Sequence, residues 1–216
     1  MIPSQIELRE ALVKKQGEEV VSKLEKATVA ICGCGGLGSN IAVNLARAGV
    51  GKLILIDFDC VDITNLQRQQ FKANQVGLPK AETLALNLKE IAPYLEIETH
   101  VARIGEDNAI SLVGEADVVC EAFDNAEAKA LLTNMVLEFN GVQPTEKQKY
   151  LVAASGMAGF GSANDIKTRR VTKRFYLCGD GVNDVDKCFG LLAPRVMACA
   201  AHQALTVIRL ICGMEE

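Results

Sequence analysis

Apolar residues follow two rhythms along the chain. Short unbroken runs at ATVAICG (27–33), KLILIDFD (52–59), DVVCEAF (117–123) and YLVAAS (150–155) are too short for helices. They lie near turn residues, so they read as buried strands, and IETHVA (97–102) reads as another. Between the strands the spacing becomes helical: up to Gly49, over 80–92 before Pro93, near 107–113 and over about 126–140. Ser4-x-x-Glu7 has the form of a capping box. Ile6, Leu12, Val13, Val20, Val21 and Leu24 then predict an amphipathic helix to about Lys26. Residues 165–178 predict one or two further strands, with an antiparallel pairing open. GDGVNDVDKCFG (179–190) reads as a surface loop, and Pro194 opens a helix capped by Gly213. Strands that alternate with helices and stay apolar throughout predict an α/β fold: a mainly parallel sheet, mixed at its edge, helices on both faces, and an N-terminal helical extension over 1–26. Neither repeats nor linkers interrupt the pattern, which predicts one domain over 1–216.

Composition narrows the function classes. The 216 residues are 49% hydrophobic, enough for a sizeable core and too many for disorder. Lys and Arg number 23 against 27 Asp and Glu, and the net −4 argues against binding nucleic acid or a membrane surface. Aromatics are 5% with no Trp, which removes the stacking platforms that single-stranded nucleic acid needs. No apolar stretch reaches the ~18 residues of a membrane span. The charged N-terminus lacks a signal core, and most of the eight Cys fall inside strands or helices. Free thiols in a reducing cytoplasm are the expectation.

The chemistry concentrates after the first strand. Gly33, Gly35, Gly36 and Gly38 join that strand to a helix, where glycines allow close approach and free N–H groups attract an anion. Asp57 ends the next strand 19 residues after Gly38, the place of an acid that grips a ribose hydroxyl. A nucleotide-binding core over 27–140 follows, with C-terminal strands and a helix over 150–216. This fingerprint alone fits a dinucleotide enzyme. The polar cluster Asp59, Asn65, Arg68 and Gln69, and Lys80 after the Gly77-Leu-Pro79 turn, fit a nucleoside triphosphate better, since cations offset phosphate charge. Arg68 and Lys80 are both expected to be solvent-accessible. Asp124 and Asn125 follow the strand ending near Phe123, where one carboxylate plus phosphates suits Mg²⁺. Asp124 equally suits an N-cap for the helix after it, and the two roles are compatible.

GCGGLGSNIAVNLARAGVGKLILIDFDCVDITNLQRQ resembles the adenylating domain of ThiF/MoeB-type proteins, relatives of ubiquitin-activating enzymes. The resemblance runs from about Arg9 to Gly213 and is firm over 28–82 and 117–125. It implies a Rossmann-like fold and ATP-dependent activation of the C-terminal Gly-Gly carboxylate of a small ubiquitin-like sulfur carrier, in thiamine or related sulfur metabolism. It places the glycine loop on Gly33–Gly38, the ribose acid on Asp57, and the Asn-Leu-x-Arg-Gln segment on Asn65, Leu66, Gln67, Arg68 and Gln69. The family's Lys falls on Lys80 and its Mg²⁺-binding Asp on Asp124. It further implies a homodimer in which an N-terminal Arg reaches the neighbour's ATP; Arg9 is the matching arginine.

The chain departs from that pattern in lacking the two CxxC pairs that bind zinc in longer members, so zinc is not expected. Some members use a downstream Cys to take the activated carrier or its sulfur; Cys188, in a Gly/Asp-rich loop before GLLAP, is the best candidate here, with Lys187 its only adjacent cation. Two other readings stay open: an NAD(P)-dependent oxidoreductase, and a non-catalytic nucleotide-binding scaffold descended from the enzyme.

Overall fold

A computed structural model describes residues 2–183 and 190–215. Seven strands form one sheet: β1 (Thr28–Cys32), β2 (Lys52–Ile56), β3 (Glu96–His100), β4 (Val118–Glu121), β5 (Tyr150–Ala154), β6 (Lys167–Thr172) and β7 (Phe175–Gly179), in the order β3-β2-β1-β4-β5-β7-β6. All neighbours are parallel except β6 and β7, whose antiparallel hairpin resolves the ambiguity at 165–178. The expected α/β class, with a mixed edge, is the observed one.

The strands are apolar on both faces because both faces are covered. Val29, Ile31, Leu53 and Leu55 pack with α3 (Gly36–Ala48), α4 (Lys80–Ile91) and α7 (Ala193–Ile211). Their alternates Ala30, Cys32, Ile54 and Ile56 pack with Leu132 and Val136 of α6 (Ala126–Val142), near the one-turn helix α5 (Ala109–Leu112). Period-two alternation therefore feeds two separate cores. Among the described residues no helix is long and apolar enough to cross a membrane.

The N-terminal extension differs from its expectation. Ser4 and Glu7 do form the capping box, but the helix divides into α1 (Gln5–Gln16) and α2 (Glu18–Leu24). Gly17 between them has φ +87°, outside the helical region. No residue of α1 is buried, and Ile6 is exposed; only Val21 and Leu24 of α2 enter the core. Leu8, Leu12 and Val13 of α1 are only partly covered, with Leu12 against Gly49 and Gln16 bonded to Ala48 O.

Candidate nucleotide site

β1 lies between β2 and β4, and the chain leaves it toward opposite sides of the sheet, which opens a crevice at the carboxyl ends of these strands. Three backbone bonds define that rim: Gly33 N–H donates to Ile56 O, Ala122 N–H to Cys32 O, and Asp57 N–H to His100 O. Gly33 takes φ +95°, and a Cβ there would lie 2.8 Å from Ala122 O. At Gly38 a Cβ would overlap Gly33 O outright, so the helix can start this close to the loop only without a side chain. Gly35 and Gly36 leave the amino end of α3 open, with its uncompensated N–H groups and partial positive charge.

Two residues that sequence reasoning passed over hold the next segment on this loop. Ser39 Oγ donates to Gly35 O and accepts from Gln70 N–H. Asn40 Nδ2 donates to Gly36 O and Arg68 O, and Asn40 Oδ1 accepts from Gln70 Nε2 at 2.7 Å. Their positions in the first turn of α3, one and two residues past the last loop glycine, were the available signal. Arg68 consequently hangs over the loop: its Cδ and Nε lie 3.5 Å from where a Gly36 Cβ would sit. Arg68 Nη1 donates to Thr64 O and has no carboxylate partner among the described residues. Gln69 is buried beside Gly35, and its Oε1 has no hydrogen-bond partner. Among the described residues it is a buried acceptor without a donor, able to take an N–H or O–H from a polar group beside the helix start.

Other members of the Asn-Leu-x-Arg-Gln segment serve the turn itself. Asn65 closes it through Asp62 and Thr64, Leu66 packs half-buried on the core, and Gln67 Nε2 donates to Leu191 O at 2.9 Å.

The acid and the lysine are arranged differently from the arginine. Asp57 is buried; its Oδ2 accepts from Cys34 N–H at 2.6 Å and its Oδ1 from Asp59 N–H at 2.8 Å. Burial raises the Asp57 carboxyl above its ordinary value, opposed by these two N–H donors and by Lys80. Lys80, expected to be accessible, is buried, with its ammonium 2.9 Å from Oδ2 of half-exposed Asp59. The Gly77-Leu-Pro79 turn folds back so that Lys80 N–H reaches Asp59 O, which draws the side chain inward.

Asp124 stands at the rim after β4. The N-cap of α6 is Asn125, whose side chain accepts from Ala128 N–H at 3.0 Å. Asp124 is exposed and takes no partner among the described residues. No three His, Cys, Asp or Glu side chains of the described residues form a metal cage. Beneath Asp124 lies a pair the sequence reading did not single out. Glu121 is buried, its Oε1 accepts from Phe123 N–H, and Lys129 bonds both carboxylate oxygens at 3.0 Å and Ala154 O at 3.1 Å.

Two predicted site residues are not brought here. Arg9 lies at the opposite, amino edge of the sheet, where it bonds Glu18, Glu25 and Ser22 of its own chain. Cys188 and Lys187 fall outside the described residues. The other thiols are free, and burial pushes Cys32, Cys34 and Cys120 up; only Cys60 is exposed.

Known proteins resemble this chain in sequence and in fold. The adenylyltransferase and sulfurtransferase MOCS3 of Aedes aegypti is 35% identical over 95% of this chain and 46% of its own length. The molybdopterin-synthase adenylyltransferase of Haemophilus influenzae is 35% identical over 56% of the chain and 50% of its own length. The chain thus spans about half the length of these curated relatives. Among solved structures, the E. coli tRNA N6-threonylcarbamoyladenosine dehydratase TcdA in complex with ATP superposes with a TM-score of 0.84 at 21% identity, covering 99% of this chain and 98% of that one. E. coli MccB with ATP superposes at 0.68 and 26% identity, over 92% and 59%. The ThiF family model matches residues 8–216, so sheet order, glycine loop and whole-chain match agree: the chain belongs to the ThiF family.

Proposed function

We propose that this protein uses ATP to adenylate the C-terminal carboxylate of a small ubiquitin-like sulfur carrier ending in Gly-Gly, in thiamine or related sulfur metabolism. The observation that carries the reading is Arg68 poised over Gly36, a cation without a carboxylate partner among the described residues, at an open helix N-terminus. An NADP-dependent enzyme could use one such arginine, but Arg68 and Lys80 together suit a triphosphate with a departing pyrophosphate better.

ATP would lie with its ribose hydroxyls on Asp57 and its phosphates between the α3 amides, Arg68 and Lys80. Gln69 supplies an acceptor beside Gly35. Lys80 exchanges part of its bond to Asp59 for phosphate oxygen, which the exposed half of Asp59 tolerates. Mg²⁺ on Asp124 would offset phosphate charge. The carrier's terminal carboxylate attacks the α-phosphorus in line, forming the acyl-phosphate bond as the bond to pyrophosphate breaks. A carboxylate is already ionised near neutral pH, so no general base is required. Relatives named for sulfurtransfer and for molybdopterin synthase adenylation support this substrate class, and the unpaired thiols suit a reducing compartment.

The unburied α1 supports a homodimer in which Arg9 leaves Glu18 and Glu25 for the neighbour's nucleotide. Mixing Arg9→Ala with Lys80→Ala protein should then restore activity, because one mixed site holds both side chains. A fully active monomer would end the dimer proposal. Cys188 is assigned to a later step, so Cys188→Ser should lose carrier thiocarboxylate formation and keep pyrophosphate exchange.

The deciding experiment is ATP–pyrophosphate exchange with Gly-Gly-terminated carriers of the same cell. Exchange that depends on the intact Gly-Gly terminus is expected. Tighter calorimetric binding of NAD(P) than of ATP·Mg²⁺ would reverse the assignment.

A further inference from the structure

Polar side chains buried between α3 and α4 form a network made of carboxamides. Asn40 is 4% exposed and Asn87 7%. Each stands on a helix whose buried side is otherwise largely apolar, through Leu37, Ile41 and Leu45 of α3 and Ala81, Leu84 and Leu88 of α4. An amide in such a place is costly unless its bonds are made, and a leucine would suit the packing.

The bonds run from the glycine loop to α4. Asn40 Nδ2 gives both its protons away, to Gly36 O at 2.6 Å and to Arg68 O at 3.0 Å, and Asn40 Oδ1 accepts from Gln70 Nε2. Gln70 O in turn accepts from Asn87 Nδ2 at 3.0 Å. Asn87 and Gln75 pair head to tail: Gln75 Nε2 donates to Asn87 Oδ1 at 2.7 Å, and Asn87 Nδ2 donates to Gln75 Oε1 at 3.0 Å. Gln75 Oε1 also accepts from Lys72 N–H. Both amide protons of each asparagine therefore have acceptors, and each asparagine oxygen has a donor.

The network joins the three elements that carry charge toward the nucleotide site. It begins at Gly36, in the open first turn of α3, holds the backbone of Arg68, and ends on α4, whose first residue is Lys80. Asn87 follows Lys80 by seven residues, two helical turns, so both lie on one face of α4. The cations' own bonds do not set their spacing. Arg68 bonds Thr64 O within its own turn, and Lys80 bonds Asp59. The amides supply that link. Their bonds are directional and carry no net charge, so they fix the distance between two cations without neutralising either. Carboxylates at 40 and 87 would offset the charge that the phosphates need.

We propose that Asn40 and Asn87 are positioning residues: through Gln70 and Gln75 they hold Arg68 and Lys80 in register over the glycine loop, so that both cations meet the triphosphate as one unit. The inference rests on the adenylation reading and deepens it.

The test uses the full chain carrying Asn40→Ala or Asn87→Leu, each alone and combined with Arg68→Ala or Lys80→Ala respectively. The probes are ATP·Mg²⁺ and adenosine in calorimetry, and pyrophosphate exchange with a purified Gly-Gly-terminated ubiquitin-like protein from the same genome. Each asparagine variant should bind ATP·Mg²⁺ about 10-fold more weakly and adenosine within about 2-fold of wild type, because only the phosphate end loses its spacing. In the background that already lacks the cation, the asparagine substitution should cost no more than about 2-fold further. Should Asn40→Ala not fold, Asn40→Ser carries the test: its hydroxyl keeps a donor for Gly36 O and is too short to bridge to Arg68 O. Equal losses for ATP and adenosine would show a merely structural role and overturn the proposal, as would losses that multiply in the double variants. Unchanged ATP affinity in both asparagine variants overturns it whatever the exchange shows. If the coupling to Arg68 and Lys80 is found but wild-type protein supports no exchange with any such carrier, the adenylation reading falls and the positioning role stands.

Discussion

The rims after β1 and β2 and those after β5 and β7 are built to opposite plans. Around Gly33–Gly38 the chain removes side chains and, among the described residues, leaves polar groups unsatisfied: open helix N–H groups, Arg68 without a carboxylate, Gln69 Oε1 without a donor. Around Gly156–Asn183 it also uses glycines, but the buried ion pair of Arg195 and Asp180 and its network of N–H donors and carbonyl acceptors tie the turns down. One region stores binding capacity; the other spends its polar groups on shape. Unsatisfied groups mark where a charged ligand belongs, and satisfied ones mark what must not move.

The comparison breaks most sharply at the glycines. Gly38→Ala puts a methyl group into Gly33 O, so the loop and α3 cannot both keep their places. Destabilisation of about 2 kcal/mol or more is expected. ATP affinity should fall at least ~10²-fold by calorimetry, because the cradle itself is displaced. Gly141→Ala is the control. A Cβ at Gly141 meets nothing within 4 Å, near the end of α6, and the variant should gain about 0.5 kcal/mol in thermal melts. Equal behaviour of the two variants would remove the steric account of the loop.

The two cations sharpen the comparison within the nucleotide rim. Arg68→Ala should change stability by about 0.5 kcal/mol or less while lowering pyrophosphate exchange ~10²-fold. Lys80→Ala should lower exchange similarly but also cost about 1 kcal/mol, since it removes a buried side chain bonded to Asp59. Near-normal exchange in either variant would refute its assigned role. Denaturant melts separate the pair: a stability loss for Arg68→Ala as large as for Lys80→Ala would contradict their different burial.

This contrast also explains what could be read from the sequence. Gly33–Gly38, Asp57 and the helix after Pro79 were legible because strand, turn and helix are local patterns, with spacing fixed by backbone geometry. Burial of Lys80 was not legible: it depends on a turn that folds Lys80 N–H back to Asp59 O. The break at Gly17 was visible only as one glycine in a helical pattern, and its φ of +87° decides it. Residues 179–183 looked like a surface loop because Gly, Asp and Asn are turn formers, yet Asp180 is buried by an arginine 15 positions away. Long-range charge pairing leaves no periodic trace. Arg195 inside an apolar helix pattern was the one signal, since a charged residue on that face needs a partner.

The smallest expected effect concerns Asp57, where both plans meet: an acid kept for a ligand yet already bonded to the backbone. Its carboxyl is raised above the ordinary Asp value, chiefly by burial, so the folded chain takes up a proton there more readily than the unfolded chain. Protonation therefore favours folding. The contribution is fully present below the unfolded value of about 3.9 and is lost as pH rises through the higher folded value. Other carboxyls, such as Glu98 and Asp180, are lowered and act in the opposite sense, so the whole-protein curve cannot isolate the effect. Asp57→Asn can, because Asn keeps an oxygen for the Cys34 N–H and does not titrate. Stability of wild type relative to Asp57→Asn, followed by urea melts from acid toward neutral pH, should decline across that window. A relative stability that instead rises with pH would mean that the two N–H donors outweigh burial, and that Asp57 belongs with the satisfied groups of the other rim.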